Sequence, residues 1–394
     1  MAGPPAPPPS STHPPPAMYN ASVHRGIREF IAWVESRRDM DDVSLHPPST
    51  AAELGTLEQM LGGPLPTDLR VLLRRFNGGR LPTGTLLPAG IEPGSMGAAV
   101  RDYAEAVQQD FLDPELLLPF FRTAEGSYLA FDRSAGPVAD TWAVVDYYPD
   151  ADAHNLVYRT LDGWCRHCVA NWSSEDHDAE FSLDTYLRNG MRHVEVEPDV
   201  ATAHATVAHA LKRSGRPEEA LASFLRAARC VPPLAWCDWE ALKLAVVLSD
   251  RASALEATER LASRAPEDAW SGRETSPGRV AELVAAVAWR DEEGAEAWGR
   301  CLGELVRAAP EEDRAVVLTA QASVTAKEPP APPRPHRNAS VAPRQPDIDL
   351  WWAAARAAYA EGQLREEDML FDPELAQLGR VRPLADLLRI RRDF

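Results

Sequence analysis

Residues 50–79, TAAELGTLEQMLGGPLPTDLRVLLRRFNGG, constrain the fold more than any other stretch, because they spell two amphipathic helices and two double-glycine stops. Thr50 followed by Glu53 is a capping box: a Thr oxygen accepts an amide of the first turn while the Glu reaches back to the Thr amide. Leu54, Leu57 and Leu61 then share one face at helical spacing. Gly62 and Gly63 stop that helix, since the left-handed cap conformation is accessible to glycine and costs other residues roughly 1 to 2 kcal/mol. Pro64 and Pro66 separate it from a second stripe, Leu69, Leu72, Leu73 and Phe76, flanked by Arg70, Arg74 and Arg75 and closed by Asn77, Gly78 and Gly79. Neither helix can bury its stripe alone, so the pattern predicts a helical hairpin packed on another layer.

The surroundings supply that layer. Residues 1–20 form a Pro-rich arm, expected to be disordered or polyproline-like. Ile27, Phe30, Ile31 and Val34 make a first helical stripe with Trp33 near its edge. From Leu81 to Tyr158 the period changes to short runs broken by Gly, Pro and Asp, with strands expected near 84–91, 127–132, 142–147 and 155–159 and one helix near 97–109. Alternation places Ser127, Leu129 and Phe131 on one face and Tyr128, Ala130 and Asp132 on the other. Helices at both ends of a mainly antiparallel sheet predict an α+β domain over residues 21–195.

The order of a Glu-bearing helix, Gly, Leu-Pro, a second helix and Asn-Gly-Gly resembles the opening signature of the SUKH superfamily. This Smi/Knr group includes fungal cell-wall-synthesis regulators and bacterial immunity proteins. The residues that carry the resemblance are Glu53, Leu57, Glu58, Leu61, Gly62, Leu65, Pro66, Leu69, Leu72, Asn77, Gly78 and Gly79. It continues through Leu118-Pro119-Phe120, through Ser127 to Phe131-Asp132, through Trp142 to Asp146 and into a closing helix, so that it spans about residues 25–190. One departure is a poorer turn before the Phe-Asp strand, where Gly126 stands in place of a Gly-rich loop. The resemblance implies a SUKH-like fold and protein recognition; Glu53, Pro66, Asn77, Gly78, Gly79, Phe131 and Asp132 read as its structural signature.

A different kind of sequence follows. A 34-residue register with Gly215 at its fifteenth place puts Ala208, Ala220, Phe224, Ala227 and Pro232 at the small, small, aromatic, small and Pro positions of a tetratricopeptide unit, which this stretch resembles. Small residues let two helices approach closely, the aromatic fills the space beside them, and Pro ends the second helix. The next unit carries Leu242, Ala254, Thr258, Leu261 and Pro266, and a third, about 278–310, is out of step. An all-α tetratricopeptide-like array is therefore expected over 199–320, a Pro-rich linker over 326–346 and a C-terminal helical cap over 347–394. Leu350, Trp351, Ala354 and Ala358 would line a helix of that cap, and the Asp372-Pro373 tail would cover the last exposed repeat face.

Charge narrows the partners. Residues 1–200 hold 15 Arg and Lys against 29 Asp and Glu, a net of −14, whereas 201–320 carry −4 and 321–394 are neutral. Unselective nucleic-acid binding needs a basic surface to displace counterions, and this half offers the opposite. Asp150, Asp152, Glu175, Asp176, Asp178 and Glu180 could form an acidic partner-binding patch; the plainer reading is solvated loop. With His154 or His177 these residues lack the ligand order of a calcium loop.

Cys165-Arg-His-Cys168 is tempting as a metal or redox motif. It has no second ligand pair, and Leu161, Trp164, Cys165, Cys168, Val169 and Trp172 make an unbroken helical stripe, so both thiols are expected in the core. His204 and His209 do not share a helix face. No GxSxG, HExxH, P-loop or dinucleotide fingerprint occurs, and the double glycines follow helices, the wrong end for anion binding. Five cysteines at irregular spacing, no secretory signal and no long apolar run predict a cytoplasmic protein.

The expectation is a non-enzymatic bacterial protein without cofactors that binds no nucleic acid or membrane. It would be an immunity-type protein neutralising a basic toxin or, alternatively, a scaffold whose repeats and acidic domain recruit different proteins.

Overall fold

Both signature helices form where the capping and breaker residues place them. In the computed structural model, which describes residues 24–38, 40–106, 116–134, 141–147, 155–175, 181–263, 276–289, 291–330, 345 and 347–392, they are α2 (Ala51–Met60) and α3 (Thr67–Arg75). Thr50 is extended ahead of α2; its Oγ1 accepts from the Glu53 amide at 3.1 Å, and its own amide donates to Glu53 Oε2 at 2.7 Å. Leu54, Leu57, Leu61, Leu69, Leu72, Leu73 and Phe76 are all buried. The layer beneath α3 is α1 (Arg25–Ser36), while α2 packs on α4 (Met96–Ala106).

The strands are β1 (Ser44–Leu45), β2 (Gly79–Leu81), β3 (Gly84–Leu86), β4 (Leu117–Thr123), β5 (Tyr128–Asp132), β6 (Ala143–Tyr147) and β7 (Asn155–Tyr158). They make a seven-stranded sheet in sequence order, with antiparallel pairing. The expected strand at 84–91 stops after Leu86 because Pro88 has no amide to continue a ladder. The strands β1 and β2 went unpredicted, being too short for alternation to register. In β5, Ala130 and Phe131 are both buried, so strict alternation fails; a register shift opposite Pro119–Phe121 of β4 accompanies it.

Two compact units divide the chain, Met1–Trp142 with Thr160–Arg166, and Ala143–Arg159 with His167–Phe394; helix α5 (Leu161–Trp172) supplies residues to each. The first unit's core gathers around Trp164, whose ring lies 5.1 Å from Phe30, 5.2 Å edge-on from Phe120 and 5.3 Å from Phe121. Phe120 in turn stacks on Phe131 at 4.2 Å. Offset and edge-on aromatic pairs of this kind add roughly 0.5 to 1.5 kcal/mol each beyond their buried area.

In the second unit the helices follow as α6 (Leu183–Val196), α7 (Ala201–Arg213), α8 (Pro217–Arg229), α9 (Trp236–Leu248), α10 (Arg251–Ser263), α11 (Pro277–Ala288), α12 (Ala295–Ala308) and α13 (Glu311–Ala326). Each of α6 to α9 packs on its successor, and α11 and α12 both pack on α13. The tail forms α14 (Ile348–Ala360), α15 (Glu366–Phe371), α16 (Pro373–Gly379) and α17 (Ala385–Leu388).

Two expectations about the tail change. Helix α14 buries Trp351 and Ala358 as expected, but Leu350 is 63% exposed and Ala354 half-buried, because the face turns so that Ala355 and the Tyr359 ring lie inward with Trp351. The tail also returns to the start of the array instead of its end. Helix α15 packs on α9, the Arg392 amide donates to Arg213 O at 2.8 Å, and Arg389 pairs with Glu218 of α8.

Candidate functional site

The signature residues occupy structural positions, and two of them do a different job from the one expected. Helix α3 ends because Phe76 turns extended (φ −154°, ψ 134°), before either glycine is reached. Gly78 (φ +84°) and Gly79 (φ +134°) instead let three backbones meet. A Cβ on Gly78 would lie 2.6 Å from Leu86 O, and one on Gly79 would lie 2.1 Å from Ser44 O. Beside them Asn77 is a pin: its Oδ1 accepts from the Ala89 amide at 2.7 Å, and its amide donates to Pro47 O at 3.0 Å. Pro66 caps α3, its carbonyl accepting from the Arg70 amide at 3.0 Å. Glu58 joins α2 to α3, accepting from the Leu65 amide at 3.0 Å and from Arg70. Phe131 is buried, and Asp132 Oδ1 accepts from the Ser134 amide at 2.8 Å, closing the strand end.

Among the repeat residues, Ala208, Ala220, Phe224 and Ala227 have no exposed surface. Pro232 is exposed beyond the end of α8. Gly215 turns at φ +74° between α7 and α8, and a Cβ there would lie 2.4 Å from Arg389 O, so the turn is also a bed for the tail. Of the acidic patch only Glu175 is described, and it is exposed; Asp150, Asp152, Asp176, Asp178 and Glu180 lie outside the described residues.

Cys165 and Cys168 are buried as free thiols on the apolar stripe of α5, and burial pushes the Cys168 thiol well up. The stripe has a polar member that periodicity alone passed over. His167 and His193 stack with centroids 4.7 Å apart, and both are buried. His167 Nε2 lies 2.9 Å from Asn189 Oδ1 and its Nδ1 lies 2.6 Å from the Tyr158 hydroxyl. An amide oxygen only accepts, so Nε2 donates and Nδ1 accepts from Tyr158. His193 Nε2 donates to Val157 O at 2.9 Å. Burial pulls His193 down to about 3, with the neighbouring His167 adding to the effect, and burial likewise lowers His167. This neutral, satisfied cluster ties β7 to α5 and α6.

A second buried polar cluster joins the tail to the array. Lys212 Nζ of α7 lies 2.9 Å from Glu240 Oε2 and 3.5 Å from Glu366 Oε2; Lys243 Nζ of α9 lies 2.6 Å from Glu240 Oε1 and also pairs with Glu367. Tyr359 donates to Glu366 Oε1 at 3.1 Å, as does Arg392, whose guanidinium stands 4.1 Å from the Tyr359 ring centroid. Phe371 stacks beside Trp239 at 6.5 Å, with the Arg279 guanidinium 4.4 Å from its ring centroid. Burial opposes ionisation of Glu240, but Lys243 and Lys212 outweigh it and hold the carboxyl down at about 2. Burial likewise opposes the charged Lys243, and Glu240 and Glu367 outweigh it, raising its affinity for the proton. A signal was present in the sequence: of 41 basic residues only Lys212, Lys243 and Lys327 are lysine, and Lys243 sits in a strongly apolar helix.

The capped helical pair, the Asn77 pin and the antiparallel sheet define a SUKH domain in the N-terminal part of the chain. Residues 48–167 match the SMI1 / KNR4 family (SUKH-1). No curated protein matches the chain. Among the described residues no helix is long and apolar enough to cross a membrane.

Proposed function

We propose that this is a non-enzymatic protein-binding protein of the immunity type, whose SUKH domain neutralises a basic toxin by covering its cationic surface. The observation that carries this reading is a SUKH match within the most acidic part of the chain, where residues 1–200 hold a net −14. Proteins of opposite charge associate faster through long-range attraction, and that steering weakens as salt shortens the screening length to about 8 Å at physiological ionic strength. Capture from the native cells with the full-length chain should return a basic protein whose association slows as salt is raised. Recovery of no basic partner, or association indifferent to salt, would count against the toxin reading.

A second reading is a scaffold in which the tetratricopeptide-like array, residues 199–320, recruits a different protein. The separate, highly organised polar cluster of the array favours it, since toxin binding by the SUKH domain does not require it. A gene for a toxin beside this one supports the first reading, and an isolated gene the second.

A further inference from the structure

The array holds its own tail through chemistry that reads sequence. The tail adds Leu364, Met369, Leu375 and Leu378 to the array's apolar core, but apolar contact alone does not select one segment over another, whereas buried ion pairs, which rarely out-stabilise hydrophobic residues of the same volume, are best attested as devices of registry. Here the six residues Glu366–Phe371 present two adjacent glutamates to two lysines on different helices and insert Phe371 between Trp239 and Arg279. All four anchoring positions are buried: Glu366 is 4% exposed, Glu367 8%, Met369 1% and Phe371 1%. The segment comes from far along the chain, after the Pro-rich stretch 326–346, to sit on α7 and α9.

The fit is incomplete: among the described residues, Arg392 Nε of the tail and Trp239 Nε1 of α9 are buried without a hydrogen-bond partner. Trp239, whose ring centroid lies 6.5 Å from that of Phe371, is 4% exposed, yet its Nε1 donor finds no hydrogen-bond partner among the described residues. An occupant with an oxygen near that position would satisfy it.

We propose that the surface of α7 and α9 bearing Lys212, Trp239 and Lys243 is a binding site for a partner protein's short acidic-aromatic segment, two adjacent glutamates with an aromatic residue four positions after the second. Residues 366–371 are its resident occupant, given up when a partner presents the same pattern. The site does not depend on the toxin reading, since it uses none of the SUKH residues.

Two experiments on the full chain decide this. A fluorescent peptide of residues 362–373 should bind the variant Glu366→Ala/Glu367→Ala/Phe371→Ala at least tenfold tighter than the unaltered chain, and a peptide carrying Glu→Gln at both positions should lose that gain. Equal binding to both chains, equal binding of both peptides, or no binding to a folded variant would overturn the proposal. Should the triple variant not fold, a protease site introduced within 331–344 gives a nicked chain. Its tail should stay bound and then exchange with the labelled peptide but not with its Gln form. A nicked chain that unfolds, or never exchanges, shows the tail to be a fixed part of the core.

Discussion

At Gly79 a Cβ would stand 2.1 Å from Ser44 O, whereas at Gly55 in α2 nothing lies within 4 Å. The two glycines therefore respond oppositely to a side chain. Gly79→Val should destabilise the protein by at least about 2 kcal/mol, since it adds both strain and a backbone collision. Gly55→Ala should stabilise it by about 0.5 to 1 kcal/mol through helix propensity. Denaturant midpoints of the two variants test the pair, and a neutral Gly79→Val would refute the crowding.

A second prediction at this scale concerns His193. Its folded imidazole stays neutral down to about 3, whereas the unfolded one takes a proton near 6.5. Its contribution is fully present above that value and is lost as pH falls from 6.5 toward 3, at up to about 1.4 kcal/mol per pH unit. His193→Gln retains a donor for Val157 O and should flatten that slope in urea melts between pH 7 and 5. An unchanged slope would mean that His193 titrates normally. Single residues were legible in the sequence where a role is local, as with Thr50 and Glu53. His167 and His193 escaped because their partners lie 22 and 36 residues away.

Among elements, α2 buries only Leu54 and Leu57, so its cap is a sizeable share of what holds it in place. Thr50→Ala should cost about 1 kcal/mol, read as a shift in denaturant midpoint; Glu53→Gln, which can keep the backbone contact, should cost less. The α9 to α15 contact is of another kind. Removing the ammonium in Lys243→Ala strands Glu367 and half of Glu240 in a buried setting, so a loss of about 3 to 5 kcal/mol is expected. A loss below 1 kcal/mol would mean that water reaches the cluster. Periodicity made α14 readable as a helix but did not fix its facing, and α6 and α13 were not singled out at all. Leu350 and Trp351 are both apolar, and only packing in three dimensions decides which turns inward.

For the whole chain, the seven-stranded sheet and the helical array were anticipated as classes, because short broken runs and 3.6-residue stripes occupy separate stretches of sequence. The path of the tail was not, since nothing local says which helix a distant segment will meet. Acid should expose both buried clusters in turn. The histidines lose their contribution below about 6.5, and the depressed carboxyls of Glu240 and Glu366 lose theirs below about 4.5 as the pH approaches their folded values. A melting profile against pH should therefore fall in two stages, and a single drop confined below pH 4 would remove the histidines from the account.

The placement of the lysines has a consequence for covalent chemistry. With Lys212 8% and Lys243 2% exposed, Lys327 is the lysine that reaches solvent, its side chain 59% exposed although its amine pairs with Glu292 at 2.9 Å. To an acylating reagent the array is nearly blank, so label arriving on Lys212 or Lys243 would time the opening of the seat the tail occupies.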